Sequence, residues 1–178
     1  MLIQTPRLIL FPTPLEVIWT RLAQGDEGEG FQAELDVAGE RIPVTFPSAW
    51  PGGALGFFPN VAAQLEADPT LERWEGTLLE RTTSTAVGQM GCKGMPDARG
   101  EVEIGYGLTP EARGQGYATE MVGALCLWLL KQETVSRITA LTLPDNWASM
   151  RVLEKSGFRR VGKEINDEGT FVLWVRSR

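Results

Sequence analysis

The sequence predicts one domain of mixed α/β or α+β class, with helices packed on a mixed sheet, and three observations carry that expectation. A chain of 178 residues is long enough for one well-buried core and short for two full domains, so residues 1–178 are read as a single domain. Its second half passes through strand-like stretches into helix-like ones and back. One helical stretch, about 116–131, is apolar around most of its circumference and is expected to lie buried against the sheet.

Taken in order, a short strand is predicted at 8–10, a helix at 15–23 and a loop at 25–30. From Pro43 to Pro59 prolines, glycines and aromatics break both periodicities, which predicts loops, with a helix resuming at 61–66. The aromatics there either wall a pocket or cover a small core. Strands at 74–80, 86–93 and 101–108 form a meander, the last two joined across 96–100. After the apolar helix come a strand at 137–143 and a helix with Asn146 as N-cap and Ser149 in its first turn. Gly157 suits the left-handed position that ends that helix, with apolar Phe158 beyond it. Hairpin strands at 158–164 and 170–176 close the chain around an Asn-Asp-Glu-Gly turn.

Composition narrows the chemistry. The hydrophobic content of 43% and charged content of 22% are ordinary for a soluble globular protein. A net charge of −6, with no visible Lys/Arg cluster, opposes nucleic acid and suits a cationic partner such as an amine. No run of about 18 apolar residues and no signal-like N-terminus are present, so no membrane and a cytoplasmic location are expected. Cys92 and Cys126 sit in apolar surroundings without CxxC spacing, which predicts buried, inert thiols and no metal. The absence of histidine excludes Ser-His and Cys-His triads, leaving proton transfer to carboxylates, water or a hydroxyl.

The strongest local signal runs from Tyr106 to Ala118, a strand followed by a glycine-containing turn and a helix. Backbone N–H groups of residues 114–118 have no intrahelical acceptor and lie at the positive end of the helix dipole, so they can hold a pyrophosphate. Gly114 and Gly116 let the backbone approach phosphate closely, Ala118 leaves the helix start clear, and Arg113 adds a fork of donors. The alternative is a turn that uses glycine only for its geometry. Neither G-x-G-x-x-G nor G-K-[ST] fits, because Thr119 stands where the former needs glycine.

Arg113-x-x-Gly116-x-Ala118 resembles the Q/R-x-x-G-x-G/A motif of the GNAT superfamily of N-acetyltransferases. Asn146-x-x-Ser149 followed by Val152 to Phe158 resembles its next block. The stretches Thr5-Pro-Arg-Leu-Ile-Leu10 and Glu103-Ile-Gly-Tyr-Gly-Leu-Thr-Pro-Glu111 are similar to the branch containing ribosomal-protein alanine acetyltransferases, whereas 25–85 is not diagnostic and is taken as the acceptor-side segment. The resemblance implies a mostly antiparallel sheet with a V-shaped split between two parallel strands, 101–108 and 137–143, and helices on both faces. It further implies acetyl-CoA as cosubstrate, held by Arg113, Gly114, Gln115, Gly116, Tyr117 and Ala118. Backbone groups of Tyr106 and Leu108, together with Asn146, would meet the pantetheine arm.

The resemblance also suggests that Ser149 protonates the leaving thiolate, against the alternative of a serine that merely bonds its own backbone. The general-acid tyrosine of many family members is replaced here by Leu153. An amine arrives protonated and needs a base. Glu103 is the first choice if its face of the strand looks into the cleft, and a solvated charge if it does not; Glu168 is a weaker candidate and water a third. The acceptor expected is a protein N-terminus or a small-molecule amine, and a homodimer is compatible with the sequence. A non-catalytic acyl-CoA sensor with the same fold is the competing expectation.

Overall fold

A computed structural model gives the fold and describes residues 1–25, 28–167 and 169–178. Asp26 and Glu27 of the expected 25–30 loop, and Glu168, fall outside the described residues. The chain forms two compact units, Met1–Gly91 with Tyr106–Tyr117, and Cys92–Gly105 with Ala118–Arg178. No described helix is long and apolar enough to cross a membrane.

The first unit holds β1 (Ile3–Gln4), β2 (Leu8–Pro12), α1 (Leu15–Ala23), β3 (Phe31–Val37), β4 (Glu40–Phe46), α2 (Phe58–Ala67), β5 (Glu75–Glu80) and nearly all of β6 (Thr85–Cys92), with the last residues of β7 (Glu101–Leu108). Strands β1, β2, β5 and β6 lie side by side and antiparallel. β4 touches β6 through the single parallel pair Thr45↔Thr85. Almost every residue of β5 and β6 is buried, so these strands lack the in-and-out alternation of a half-exposed sheet.

Phe46, Trp50 and Phe58, with Phe31 packed against them, belong to the core of this unit, whereas Phe57 is 56% exposed. Phe31 stacks on Phe46 with ring centroids 4.7 Å apart, and Trp50 meets Phe46 and Phe58 edge-on at 4.6 and 5.3 Å. Phe46, Trp50 and Phe58 are fully buried with Val17 and Ile18 of α1 and Ala62 of α2. The Trp50 indole N–H donates to the Gly88 carbonyl at 3.1 Å, which satisfies its polar edge. Arg21 of α1 is buried as well. Its Nε donates to the Trp50 carbonyl at 2.6 Å, Nη1 to Gly25 at 2.6 Å and Nη2 to Ser48 at 3.3 Å. Of the two alternatives read from the sequence, these rings take the role of core cover.

The second unit holds the start of β7, α3 (Tyr117–Leu129) from Ala118 on, β8 (Arg137–Thr142), α4 (Trp147–Lys155), β9 (Arg159–Asn166) and β10 (Gly169–Ser177). β7 pairs parallel with β8, β8 antiparallel with β10, and β10 antiparallel with β9. The parallel ladder runs from Glu101↔Arg137 to Glu103↔Thr139 and stops there although both strands continue, the split implied by the resemblance. In α3 the buried residues form one stripe, Tyr117, Met121, Val122, Leu125, Cys126 and Leu129, while Leu127 is 58% exposed. The helix is therefore one-sided rather than buried all round. α4 begins at Asn146, whose Oδ1 accepts from the Ser149 N–H at 3.1 Å. It ends with Phe158 N–H bonded to Leu153 O, Gly157 N–H bonded to Glu154 O, and Gly157 at φ +81°. This is the expected left-handed glycine stop.

The β3–β4 hairpin corrects the expected loop. Its turn places both Ala38 (φ 59°) and Gly39 (φ 88°) in the left-handed region, with the Gly39 N–H held by Asp36 Oδ1 at 3.0 Å. An alanine in that position hides the signal that Asn-Gly would have given. Pro43 further masks the strand, but β4 is paired along its length only with β3, so a residue lacking an N–H is tolerated there. Elsewhere β1 and the 31–46 strands are additions, and the remaining boundaries shift by one to three residues. Because alanine is strained at φ 59°, Ala38→Gly should stabilise the protein by about 0.5–1 kcal/mol, read as a higher midpoint in urea unfolding at unchanged slope.

Candidate active site

The turn between β7 and α3 has the geometry of an anion cradle. Gly114 (φ 75°) and Gly116 (φ 81°) both adopt the left-handed conformation, and residues 113–116 are exposed. A side chain at Gly114 would meet nothing within 4 Å, so the backbone on that side is open. Left-handed residues alternating with ordinary ones turn successive N–H groups toward one side, and the start of α3 adds its own unpaired donors. The residues present fit a pyrophosphate. Arg113 is exposed at the cradle, with Nε 3.4 Å from the Leu108 carbonyl.

A second arginine, to which sequence reasoning assigned no role, completes this site. Arg7, in the turn between β1 and β2, donates from Nη1 to the Gln115 carbonyl at 2.9 Å. Its guanidinium also lies 4.7 Å above the Tyr117 ring centre. It thus holds the cradle from outside by a hydrogen bond and a cation–π contact. The Arg7 segment is itself pinned, since Arg81 N–H bonds the Arg7 carbonyl and Arg81 Nη1 the Thr5 carbonyl. The sequence signal for Arg7 is the Thr5–Leu10 stretch.

The expected catalytic residues lie in the second unit. Glu103 Oε1 is 2.5 Å from Lys93 Nζ in an ion pair, although that shielded oxygen receives no hydrogen bond of acceptable geometry. Glu101 pairs with Arg137 at 3.2 Å. Ser149 is half-buried one turn into α4, and the Asn146 side-chain oxygen caps that helix. Tyr106 and Leu108 are half-buried on β7. Cys92 and Cys126 are buried and form no disulfide, and burial pushes Cys126 up to about 11, against the lowering effect of Arg176. Cys126 is therefore no nucleophile at neutral pH.

One polar cluster in the first unit was absent from the sequence reading. Paired residues Phe11 and Thr77, and Thr77 and Gln89, share a face of the sheet with Leu79 and Ala86. That face carries the aromatic core at Phe11, Leu79 and Ala86, yet continues into Thr77, Gln89 and Thr13, all at most 3% exposed. The Thr13 and Thr77 hydroxyls are 2.9 Å apart, and Gln89 Nε2 donates to Thr13 Oγ1 at 3.0 Å and to Glu75 Oε1 at 3.4 Å. Burial raises the Glu75 pKa above its ordinary 4.5, and the Gln89 bond offsets part of that rise. Three uncharged polar residues and a carboxyl so close to an apolar core had no sequence signal, because they come from separate stretches of chain: Thr13 just after β2, Glu75 and Thr77 on β5, and Gln89 on β6.

The family described as Acetyltransferase (GNAT) domain matches residues 53–159. The chain is 34% identical over 113 residues to the uncharacterized N-acetyltransferase YjdG of Bacillus subtilis, a match covering 61% of this chain and 66% of that one. The chain thus spans less than two thirds of the length of this relative and about half or less of the other curated relatives it matches. In fold it is similar to the ribosomal-protein-S5-alanine acetyltransferase from Vibrio fischeri, with TM-score 0.69 and 14% identity over 99% of this chain and 96% of that one. It is also similar to the aminoglycoside acetyltransferase AAC(6')-Ib solved with coenzyme A and kanamycin, with TM-score 0.53 and 22% identity over 66% and 76% of the two chains.

Two outcomes follow for this region. Arg7→Ala should loosen the cradle, weakening coenzyme A binding in calorimetry by about tenfold, roughly the 1.4 kcal/mol of one lost charged contact, while leaving the unfolding midpoint nearly unchanged. Glu75, with its folded pKa raised, adds stability that is fully present below its ordinary pKa and lost as pH rises through the folded value. Glu75→Gln should therefore raise the melting temperature at pH 7, and the gain should shrink as pH falls toward about 4.

Proposed function

This chain belongs to the GNAT acetyltransferase domain family, and from that premise we propose that it transfers an acetyl group from acetyl-CoA to a primary amine. The single observation that carries this reading is the cradle at residues 113–118, with two left-handed glycines at a helix start and two arginines beside it. Residues 1–178 act in this reading as one acetyltransferase domain. Acetyl-CoA, when bound, supplies the acetyl group as an activated thioester.

The roles of the chain's own residues follow from their places. Arg113, Gly114, Gln115, Gly116, Tyr117 and Ala118 bind the pyrophosphate through backbone N–H groups and the Arg113 fork, with Arg7 fixing Gln115 and Tyr117. The backbone of Tyr106 and Leu108 and the Asn146 side chain line the path of the pantetheine. Glu103 takes a proton from the acceptor's ammonium, directly or through a water, once its carboxylate opens from Lys93. The Ser149 hydroxyl donates a proton on the thiol side in place of the absent tyrosine, where Leu153 is fully buried. The acceptor is a protein N-terminus or a small-molecule amine.

The Lys93 ion pair also supports a second reading, a non-catalytic sensor that binds acyl-CoA with its carboxylate neutralised. Incubation with acetyl-CoA and a panel of amines, following free thiol, separates the two. Catalysis predicts thiol release that requires the amine. Glu103→Gln should then cut turnover on the order of 10²-fold with coenzyme A binding retained. Tight binding without thiol release for any amine would establish the sensor, and no binding at millimolar coenzyme A would end both.

A further inference from the structure

The first unit contains a half-buried carboxyl, Glu75, that the proposed reaction leaves unused. On the face of β5 and β6 that carries the aromatic core, apolar side chains give way to Thr13, Thr77, Gln89 and finally Glu75. Burying such a network beside Trp50 and Phe58 costs stability unless every member is satisfied, and an apolar strip would serve the core as well. Two glycines shape its surroundings. Gly91 pairs with Glu75, and a side chain there would come within 2.5 Å of Glu75 Cα, so the strand must be bare for Glu75 to sit where it does.

The second glycine lies toward the cradle. Thr109 N–H bonds the Val87 carbonyl, so Gly107 on β7 is level with Gln89 on β6. A methyl on Gly107 would find Pro51 O and Gly53 N 3.9 Å away, so the loop 51–53 lies over that bare stretch of strand with about the clearance of one methyl. The same loop is anchored at Trp50 by Arg21 and Gly88. The polar strip therefore leads from Glu75 through Gln89 toward a strand position with no side chain, beside the Leu108 backbone assigned above to the pantetheine.

We propose that Glu75, held by Gln89 and backed by Thr13 and Thr77, forms the subsite that binds a primary ammonium group of the acceptor. The subsite rests on the acetyl-transfer reading and names its substrate class as a cationic amine. The carboxylate provides the charge, and the Thr and Gln groups provide fixed hydrogen-bond partners in a place shielded from water. Glu75 acts here as a binding residue, with proton transfer left to Glu103.

The test uses the full chain saturated with coenzyme A, with kanamycin and a short peptide bearing a free N-terminus as probes. Calorimetry and steady-state thiol release are measured for wild type and Glu75→Gln. The subsite predicts a KM for the accepted amine at least tenfold higher in the variant. The KM for acetyl-CoA should be unchanged, kcat at saturating amine should stay within about twofold of wild type, and the melting temperature should be higher. An unchanged amine KM, or amine affinity equal in the two proteins, overturns it, and so does a wild-type complex that binds neither probe. Amine binding without thiol release would instead overturn the acetyl-transfer reading and leave the subsite standing. If Glu75→Gln does not fold, Gln89→Met, which keeps the carboxylate but removes the amide that holds it, should raise the amine KM in the same direction.

Discussion

A helix end can hold an anion only if the helix cannot retreat from it, and that constraint sits in the stripe Tyr117, Met121, Leu125 and Leu129 of α3. Burial of these side chains fixes the helix axis, and with it the direction in which the first N–H groups point. The left-handed glycines at 114 and 116 then need only shape the approach, and Arg7 and Arg113 only add charge. Loss of Met121, Leu125 and Leu129 would remove the cradle without touching any residue in it.

Charge is used sparingly and in defined places. Glu101 and Glu103 are each matched by a cation, Arg137 and Lys93, whereas the hydrogen-bond partner of Glu75 among the described residues is a neutral amide. Burial holds that carboxyl above its ordinary pKa, and the Gln89 bond offsets part of the rise. The aromatic core beside it compensates, since Phe46, Trp50 and Phe58 interlock with little exposed edge.

The fold was legible where local chemistry and tertiary demand agreed. The helix at 15–23, the strand at 101–108, the Asn146 cap and the Gly157 stop follow from periodicity and capping alone. The 31–46 hairpin was not legible, because Ala38 occupies a left-handed position normally marked by glycine or asparagine and Pro43 interrupts the strand. The cradle was legible because its glycines, arginine and helix start are contiguous. Arg7 and Arg21 were not, since Gln115 for the one and Ser48 and Trp50 for the other lie far along the chain, and the Thr13, Thr77, Gln89 and Glu75 cluster exists only once three strands are laid side by side.

Arg21 grips this region in a particular way: its bonds all end on backbone carbonyls, at Gly25, Ser48 and Trp50. A carbonyl is present whatever the side chain, so the anchor is indifferent to which residues occupy 48 and 49. The stretch leading into the 51–53 loop can thus exchange side chains across generations while its course over the sheet stays the same. A scaffold built in this manner separates variation of the side chains in this stretch from maintenance of the fold.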